Sequence, residues 1–181
     1  MHVFEAFAGT GELYRAVWQQ RATSYVGCDL RYFRDGRRVF VADNRRVLRA
    51  VDLAAFNVFD LDAYGSPWEQ AVIIAARRKL VPGERIGIVV TEGNGLNYKN
   101  GVVPHAVSEL IGLRHAMMPG KALNGRRGEV QERIWHALAV RLGANLERLW
   151  KAQGVSGQSV AYMGAVLRGN AVAAAEAAEA A

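Results

Sequence analysis

Cysteine and histidine are scarce in this chain, and long apolar runs are missing. The lone cysteine, Cys28, rules out an internal disulfide, and the four histidines at positions 2, 105, 115 and 136 have no metal-ligand spacing. Metal chemistry is not expected. No apolar stretch approaches the roughly 20 residues of a membrane span, and the first residues lack the basic head of a secretory leader. A cytoplasmic protein without membrane attachment is the expectation. Two nucleotide signatures are also absent. There is no G-x-x-x-x-G-K-[ST] run, which excludes a P-loop nucleotidase. The fingerprint G-x-G-x-x-G is not completed either, since Tyr14 stands three residues after Gly11, which counts against NAD or FAD.

What is present fits one domain. The chain has 181 residues, 51% apolar and 22% charged, enough for a single buried core. That domain is placed at 1–169. The tail 170–181, "AVAAAEAAEAA" after Asn170, is low in complexity, has no apolar stripe to dock, and is expected to be flexible. Lysine and arginine total 23 against 17 acids, a net charge of +6. Such an excess favours a polyanionic partner. The basic groups at Arg31, Arg34, Arg37, Arg38, Arg45, Arg46 and Arg49, and at Arg77, Arg78 and Lys79, read either as contacts to that partner or as solvated faces.

Apolar runs rich in β-branched and aromatic residues recur at 2–8, 24–29, 38–42, 56–61 and 85–91, and all but one pair enclose a stretch with helical spacing. Between the first two runs, Leu13, Tyr14, Ala16, Val17 and Trp18 fit one helical face. The alternation predicts an α/β, Rossmann-like, doubly wound sheet with mostly parallel strands. After Thr91, "EGNGLNYKNG" reads as a loop, and 103–118 and 127–143 read as helices. Apolar stretches at 146–151 and 159–168, joined by "QGVSGQ", predict a closing antiparallel hairpin.

"VFEAFAGTGELYRAV" sets Gly9 and Gly11 after the first strand and before a helix, where small residues let a ligand approach backbone N–H groups. Glu5, near the strand end, repels a pyrophosphate and attracts an ammonium or sulfonium. Asp29 ends "YVGCDL", where an acid accepts hydrogen bonds from ribose hydroxyls. Asp43 ends "VFVAD", with Asn44 beside it, in reach of an adenine amine. Each acid taken singly also reads as a helix cap or solvated loop residue. Together they describe an adenosine with a cationic amino-acid arm.

Glu5 with "FAGTG", Asp29 after "YVGC", and "DLDAYGSP", in this order, resemble a class I S-adenosylmethionine-dependent methyltransferase. The last stretch is similar to the D-x-D-P-[FY]-G-S-P signature of the tRNA guanine-N2 dimethyltransferases. These motifs lie within residues 1–92. The resemblance implies S-adenosylmethionine as cofactor, held by Glu5, Phe7, Ala8, Gly9, Thr10, Gly11, Asp29, Leu30, Asp43 and Asn44. It implies a nucleobase amine as target. Such an amine is a poor nucleophile because its lone pair is delocalised, and hydrogen bonds from its N–H groups to a carboxylate and a carbonyl localise that pair on nitrogen. By matched position Asp62 orients the amine and takes or relays its proton, and Tyr64 packs against the base. Asp60 lies on the same side of the strand and either helps with the cofactor or positions the loop. Ser66, Pro67 and Glu69 read as N-cap, N1 and N3 of a capping box.

The chain departs from the resembling family at Ala63, which stands in the place of its proline and leaves the loop less restricted. A separate recognition domain like that family's is not expected within these 181 residues. Substrate recognition is then expected from "RYFRDGRR" (31–38), from 92–101, from the region of Lys121, Arg126 and Arg127, or from a partner protein or homo-oligomer. Tyr32, Phe33 and Tyr98 suit stacking on unpaired bases or, equally, a place in the core. Cys28 lies inside a strand, unlike the loop nucleophile of C5-pyrimidine methyltransferases, and is read as core. RNA and DNA both stay open as substrates. The alternatives are a small-molecule or protein methyltransferase and a catalytically weak binding module.

Overall fold

A computed structural model describes residues 1–93, 95–113, 119–154 and 160–170. Seven strands form one sheet in the order β3-β2-β1-β4-β5-β7-β6. These are β1 (His2–Glu5), β2 (Ser24–Asp29), β3 (Val39–Val41), β4 (Val58–Asp62), β5 (Arg85–Glu92), β6 (Ala144–Gln153) and β7 (Ala161–Gly169). The first five pair in parallel, and β7 pairs antiparallel with both β5 and β6. The predicted α/β sheet with its antiparallel finish is the fold observed. Strand order reverses between β1 and β4, the switch point where open α/β sheets hold ligands.

The helices are α1 (Gln19–Arg21), which continues a π-helical turn at Tyr14–Trp18, then α2 (Asn44–Ala50), α3 (Trp68–Arg77), α4 (Gly95–Lys99), α5 (His105–Ile111), α6 (Gly120–Gly125) and α7 (Arg127–Leu142). In α7, Val130, Ile134, Leu138 and Leu142 recur every four residues and are all buried. Gly143 ends this helix with φ of +67°, a left-handed conformation that suits glycine. Trp68 of α3 and Trp135 of α7 meet edge to face at 5.7 Å with neither exposed. Truncating a side chain as enclosed as Ile134 costs about 2–5 kcal/mol.

The two sheet faces are unequally covered. Ile86, Ile88, Val90 and Glu92 of β5 are buried on the face of α3 and α7, where Trp68, Arg127 and Gln131 all bond to Glu92. On the opposite face Trp18 bonds to Asp60 and Tyr14 packs on Tyr25, so the first helical turn covers β1 and β2. On that face Val89, Trp150 and Tyr162 are exposed.

Several sequence expectations need correction. Pro67, not Ser66, is the N-cap of α3, and Ser66 only accepts a long bond from Trp68 N at 3.4 Å. Glu69 turns instead to Arg45 and Arg49, at 3.5 and 3.8 Å, and no capping box forms. Within 92–101 lies α4, and the helix expected over 103–118 is α5, ended by Gly112 with φ of +64°. Residues 114–118, most of "QGVSGQ" and the tail from 171 lie outside the described residues.

The basic cluster at 77–79 is largely structural. Arg77 donates to the carbonyls of Leu48 and Val51, Arg78 pairs with Glu84, and Lys79 donates to the Arg141 carbonyl. These cations tie helix ends and loops together, donating to carbonyls that the ends of α2 and α7 leave without helical partners. Among the described residues no helix is long and apolar enough to cross a membrane.

Candidate active site

The chain after β1 turns at Gly9 and Gly11, with φ of +42° and +80°. A side chain on Gly11 would be strained and would also place its Cβ 2.7 Å from the guanidinium carbon of Arg37. Arg37 explains this tightness. Its side chain is only 2% exposed, donates to the Ala8 and Gly9 carbonyls at 2.7 Å each, and pairs with Asp35. A residue expected on a basic surface is the brace of the glycine turn. From the other side, Gly9 N donates to Asp29 Oδ2 at 2.8 Å, and Arg31 N donates to Asp29 Oδ1 at 2.9 Å. Each carboxylate oxygen accepts two bonds, so Asp29 keeps capacity for a pair of hydroxyls.

Two clefts meet at Phe7 and Asp29. The larger, about 680 Å³, is lined by Glu5, Ala8 to Leu13, Asp62 and Tyr64, and on its far wall by Thr91 and Tyr162. The smaller, about 270 Å³, runs from Asp29 and Leu30 to Asp43 and Asn44. Leu30 is exposed beside it. Asp43 caps α2 and is gripped by Arg45 at 2.7 Å, which holds its carboxyl down to about 2. Asn44 donates to the Ala6 carbonyl and accepts from Gln70, bonds that fix its amide at the edge of the smaller cleft. Thr10 is exposed at the turn.

Three carboxylates, Glu5, Asp60 and Asp62, gather at the ends of β1 and β4, and two of them, Glu5 and Asp62, line the larger cleft. Glu5 and Asp60 stand opposite each other in the β1–β4 ladder. Burial pushes the Glu5 carboxyl up to about 7 against the opposing hydroxyl of Tyr25, and the Asp60 charge adds to the rise. Burial likewise pushes Asp60 up to about 7, although Trp18 Nε1 donates to its Oδ2 at 2.8 Å. Asp60 is therefore an anchor for the first helical turn, and the cleft reaches Glu5 and Asp62 without it. Asp62, two residues on, is exposed at the strand end.

The loop after Asp62 is held by backbone bonds. Ala63 N donates to Leu61 O at 2.9 Å, and Gly93 N donates to Gly65 O at 2.8 Å. A proline at 63 has no such donor, so the loop is closed here by hydrogen bonds in place of a fixed φ. Any side chain at Gly93 would collide with the Tyr64 carbonyl, so glycine at the end of β5 lets this loop approach. Tyr64 itself projects fully into solvent at the rim.

Sequence reasoning did not single out Tyr25 or Tyr162, and it had Arg37 and Gly93 only within the 31–38 and 92–101 recognition stretches. Arg37 sat inside a basic run, and only the spatial return of the 31–38 loop reveals its role. Of the two places open to Tyr98, stacking surface or core, the structure takes the core: it is fully buried and bonds to Glu92. Glu92, also fully buried, takes bonds from Trp68, Tyr98, Arg127 and Gln131, which removes Arg127 from the substrate surface. Phe33 and Arg31 line the cleft, and Tyr32 is exposed. Cys28 is buried, as read from its strand position, and burial pushes its thiol up to about 11. Among the described residues no group of histidine, cysteine and acid side chains is arranged to hold a metal.

The chain matches no family model and no curated protein. Among solved structures, a candidate hemolysin from Streptococcus thermophilus superposes with a TM-score of 0.55 at 16% identity, over 94% of this chain and 60% of its own. Trm1 from Pyrococcus horikoshii, solved with S-adenosyl-L-methionine, gives 0.54 at 13% identity, over 96% of this chain and 52% of its own. The plantazolicin methyltransferase BpumL, solved with a monoazolic desmethylPZN analogue and SAH, gives 0.52 at 9% identity, over 94% and 76%. The chain thus spans little more than half the length of the first two. At such identities the likeness is one of architecture, and it agrees with the strand order, the glycine turn and the acid-ended strands: this chain has the Rossmann-like fold of the class I methyltransferases.

Proposed function

We propose that this chain is an S-adenosylmethionine-dependent N-methyltransferase acting on an exocyclic amine of a nucleobase in RNA or DNA. The observation that carries the reading is the meeting of Glu5, the Gly9–Gly11 turn, Asp29 and Asp62 on one pair of joined clefts at the β1/β4 switch point. S-adenosylmethionine bound there supplies a methyl group made electrophilic by its sulfonium. The remaining acceptor capacity of Asp29 fits the ribose diol, Leu30 flanks the adenine, and Glu5 faces the cationic arm.

Asp62 then acts on the substrate. Its exposed carboxylate at the cleft wall accepts a hydrogen bond from the target N–H, localises the lone pair on nitrogen and receives or relays the proton after transfer. The rigid loop matters because in-line transfer depends on placing nitrogen near the methyl carbon, and such placement contributes several kcal/mol. Tyr64, free at the rim, and Phe33 across the cleft offer faces for an extruded base. A small-molecule substrate is the second reading, favoured by the fold shared with a plantazolicin methyltransferase.

Calorimetric titration of S-adenosylhomocysteine tests the cofactor site. Binding is expected in the wild type and is expected to vanish in Asp29→Ala; no binding at millimolar ligand refutes the reading. Transfer of labelled methyl to tRNA, rRNA and single-stranded DNA tests the substrate. Asp62→Ala should lose about 100-fold or more in rate with ligand affinity intact. Transfer to small amines alone would favour the second reading.

A further inference from the structure

One sheet face is covered by α3 and α7 over its centre, whereas on its reverse the described residues cover β1, β2 and Asp60 of β4 but leave β5, β7 and β6 open. On that reverse face the ladder sets Val89, Gly164 and Trp150 in one row across β5, β7 and β6, and Thr91, Tyr162 and Ala152 in the next. Val89 is 38% exposed, Trp150 53% and Tyr162 47%. The Trp150 ring lies beside Gly164, which has no side chain to hide it. Tyr162 also lines the larger cleft, so this face runs directly into the candidate active site. Trp150 and Tyr162 are diagonal neighbours on adjacent strands, a separation of about 7–8 Å.

Arginines complete the face. Arg85 stands directly opposite Arg168 across β5 and β7, and Arg148 opposes Val166 next to them. Like charges directly opposite destabilise a sheet. Glu147, bonded to Arg85 at 2.7 Å and held below the usual carboxylate range chiefly by that bond, also lies in the field of Arg168 and Arg148. Neither Arg148 nor Arg168 has an ion pair of its own among the described residues. A second copy of the chain docked by two-fold symmetry would bring this cationic patch against itself. A polyanion relieves the repulsion, and exposed aromatic rings suit its bases.

We propose that a single strand of nucleic acid lies across this open face, its bases stacked on Tyr162 and Trp150 and its phosphates paired with Arg148 and Arg168, and that it delivers the target nucleotide to the Asp62 cleft. The proposal rests on the nucleobase methyltransferase reading and specifies how an unpaired strand reaches that site. Stacking and phosphate pairing do not read the ribose 2′-hydroxyl, so RNA and DNA strands bind alike on this surface.

Fluorescence anisotropy with a labelled oligouridylate of about 12 nucleotides tests it. Trp150→Ala and Tyr162→Ala are each expected to weaken binding about tenfold, and Trp150→Phe to retain most of it. Arg148→Gln and Arg168→Gln should each flatten the salt dependence by about one ion between about 50 and 200 mM. S-adenosylhomocysteine affinity measured on Trp150→Ala reports whether the variant is folded, and it should match the wild type. Unchanged oligonucleotide affinity in the folded Trp150→Ala variant overturns the proposal. So does a wild-type dimer in sedimentation that Trp150→Ala renders monomeric, since the face is then covered by a second copy. If S-adenosylhomocysteine binds and the oligonucleotide does not, the strand surface fails and the methyltransferase reading survives. If the oligonucleotide binds through Trp150 and S-adenosylhomocysteine does not, the surface stands and the active-site reading fails.

Discussion

Lowering the pH from about 7.5 to about 5.5 is expected to weaken S-adenosylmethionine binding roughly twentyfold, with Glu5 as the titrating group. Burial holds its carboxyl up to about 7. About three-quarters of the protein then carries the ionised form at pH 7.5 and about 3% at pH 5.5, and the apparent dissociation constant scales inversely with that fraction. Glu5→Gln keeps the side-chain shape and an oxygen for the Tyr25 hydroxyl, but removes the charge. It should bind weakly with a flat pH profile. Titration of S-adenosylmethionine beside S-adenosylhomocysteine distinguishes the cation concerned: a sulfonium contact affects only the former, an ammonium contact both. A wild-type profile without slope, or an equal slope in Glu5→Gln, refutes the reasoning.

Asp60, opposite Glu5 and also pushed up to about 7, titrates together with it, so the two are best treated as a pair. Asp60→Asn retains an acceptor for Trp18 and separates the contributions. In the ligand-free protein the same shifts act on stability. Both groups hold protons more tightly folded than unfolded, so stability is expected to fall as pH rises from about 4.5 to about 7. The Glu5 shift bounds its share at about 3 kcal/mol by pH 8, measurable as a higher melting temperature in Glu5→Gln.

Two further perturbations test the supports of the site. Arg37→Met leaves the Gly9 carbonyl without its donor and the Ala8 carbonyl with Gly11 N alone, at about 1–3 kcal/mol for the group left unpaired, so urea unfolding should shift to lower concentration and S-adenosylhomocysteine affinity should fall. Glu92→Ala strands the donors of Trp68, Tyr98, Arg127 and Gln131 and should cost about 3–5 kcal/mol; an unaltered melting temperature would show that the cluster contributes no net stability.

The strand pattern and the order of the acids were readable because each depends on local chemistry. Apolar runs mark β5 and β7, and Asp29 and Asp62 sit where such runs stop. What escaped sequence reasoning depends on distant segments meeting. Arg37 and Arg34 look alike in "RYFRDGRR", yet only Arg37 folds back beneath the glycine turn. Tyr98 and Tyr162 are both tyrosines in polar or mixed company. One is buried against Glu92, and the other is exposed because, among the described residues, no helix packs on its part of the sheet face. The capping box failed for a related reason: Glu69 had long-range arginine partners that the local motif could not reveal.

Asp60 and Asp62 show how one strand divides two tasks. Alternation points both to the same face, but Trp18 roofs only the first, so Asp60 is buried and anchors the helical turn while Asp62 keeps its solvent-facing oxygens. The Asp62 loop is then fixed from β5, where Gly93 accepts its close approach and binds Gly65. Glu92, the residue before Gly93, faces the opposite way and is clamped by α3, α4 and α7. The geometry of Asp62 is thus set through a rigid strand end by a buried charge cluster on the far side of the sheet. This is why Glu92→Ala should lower methyl transfer as well as stability, whereas Trp150→Ala should weaken only the approach of the strand.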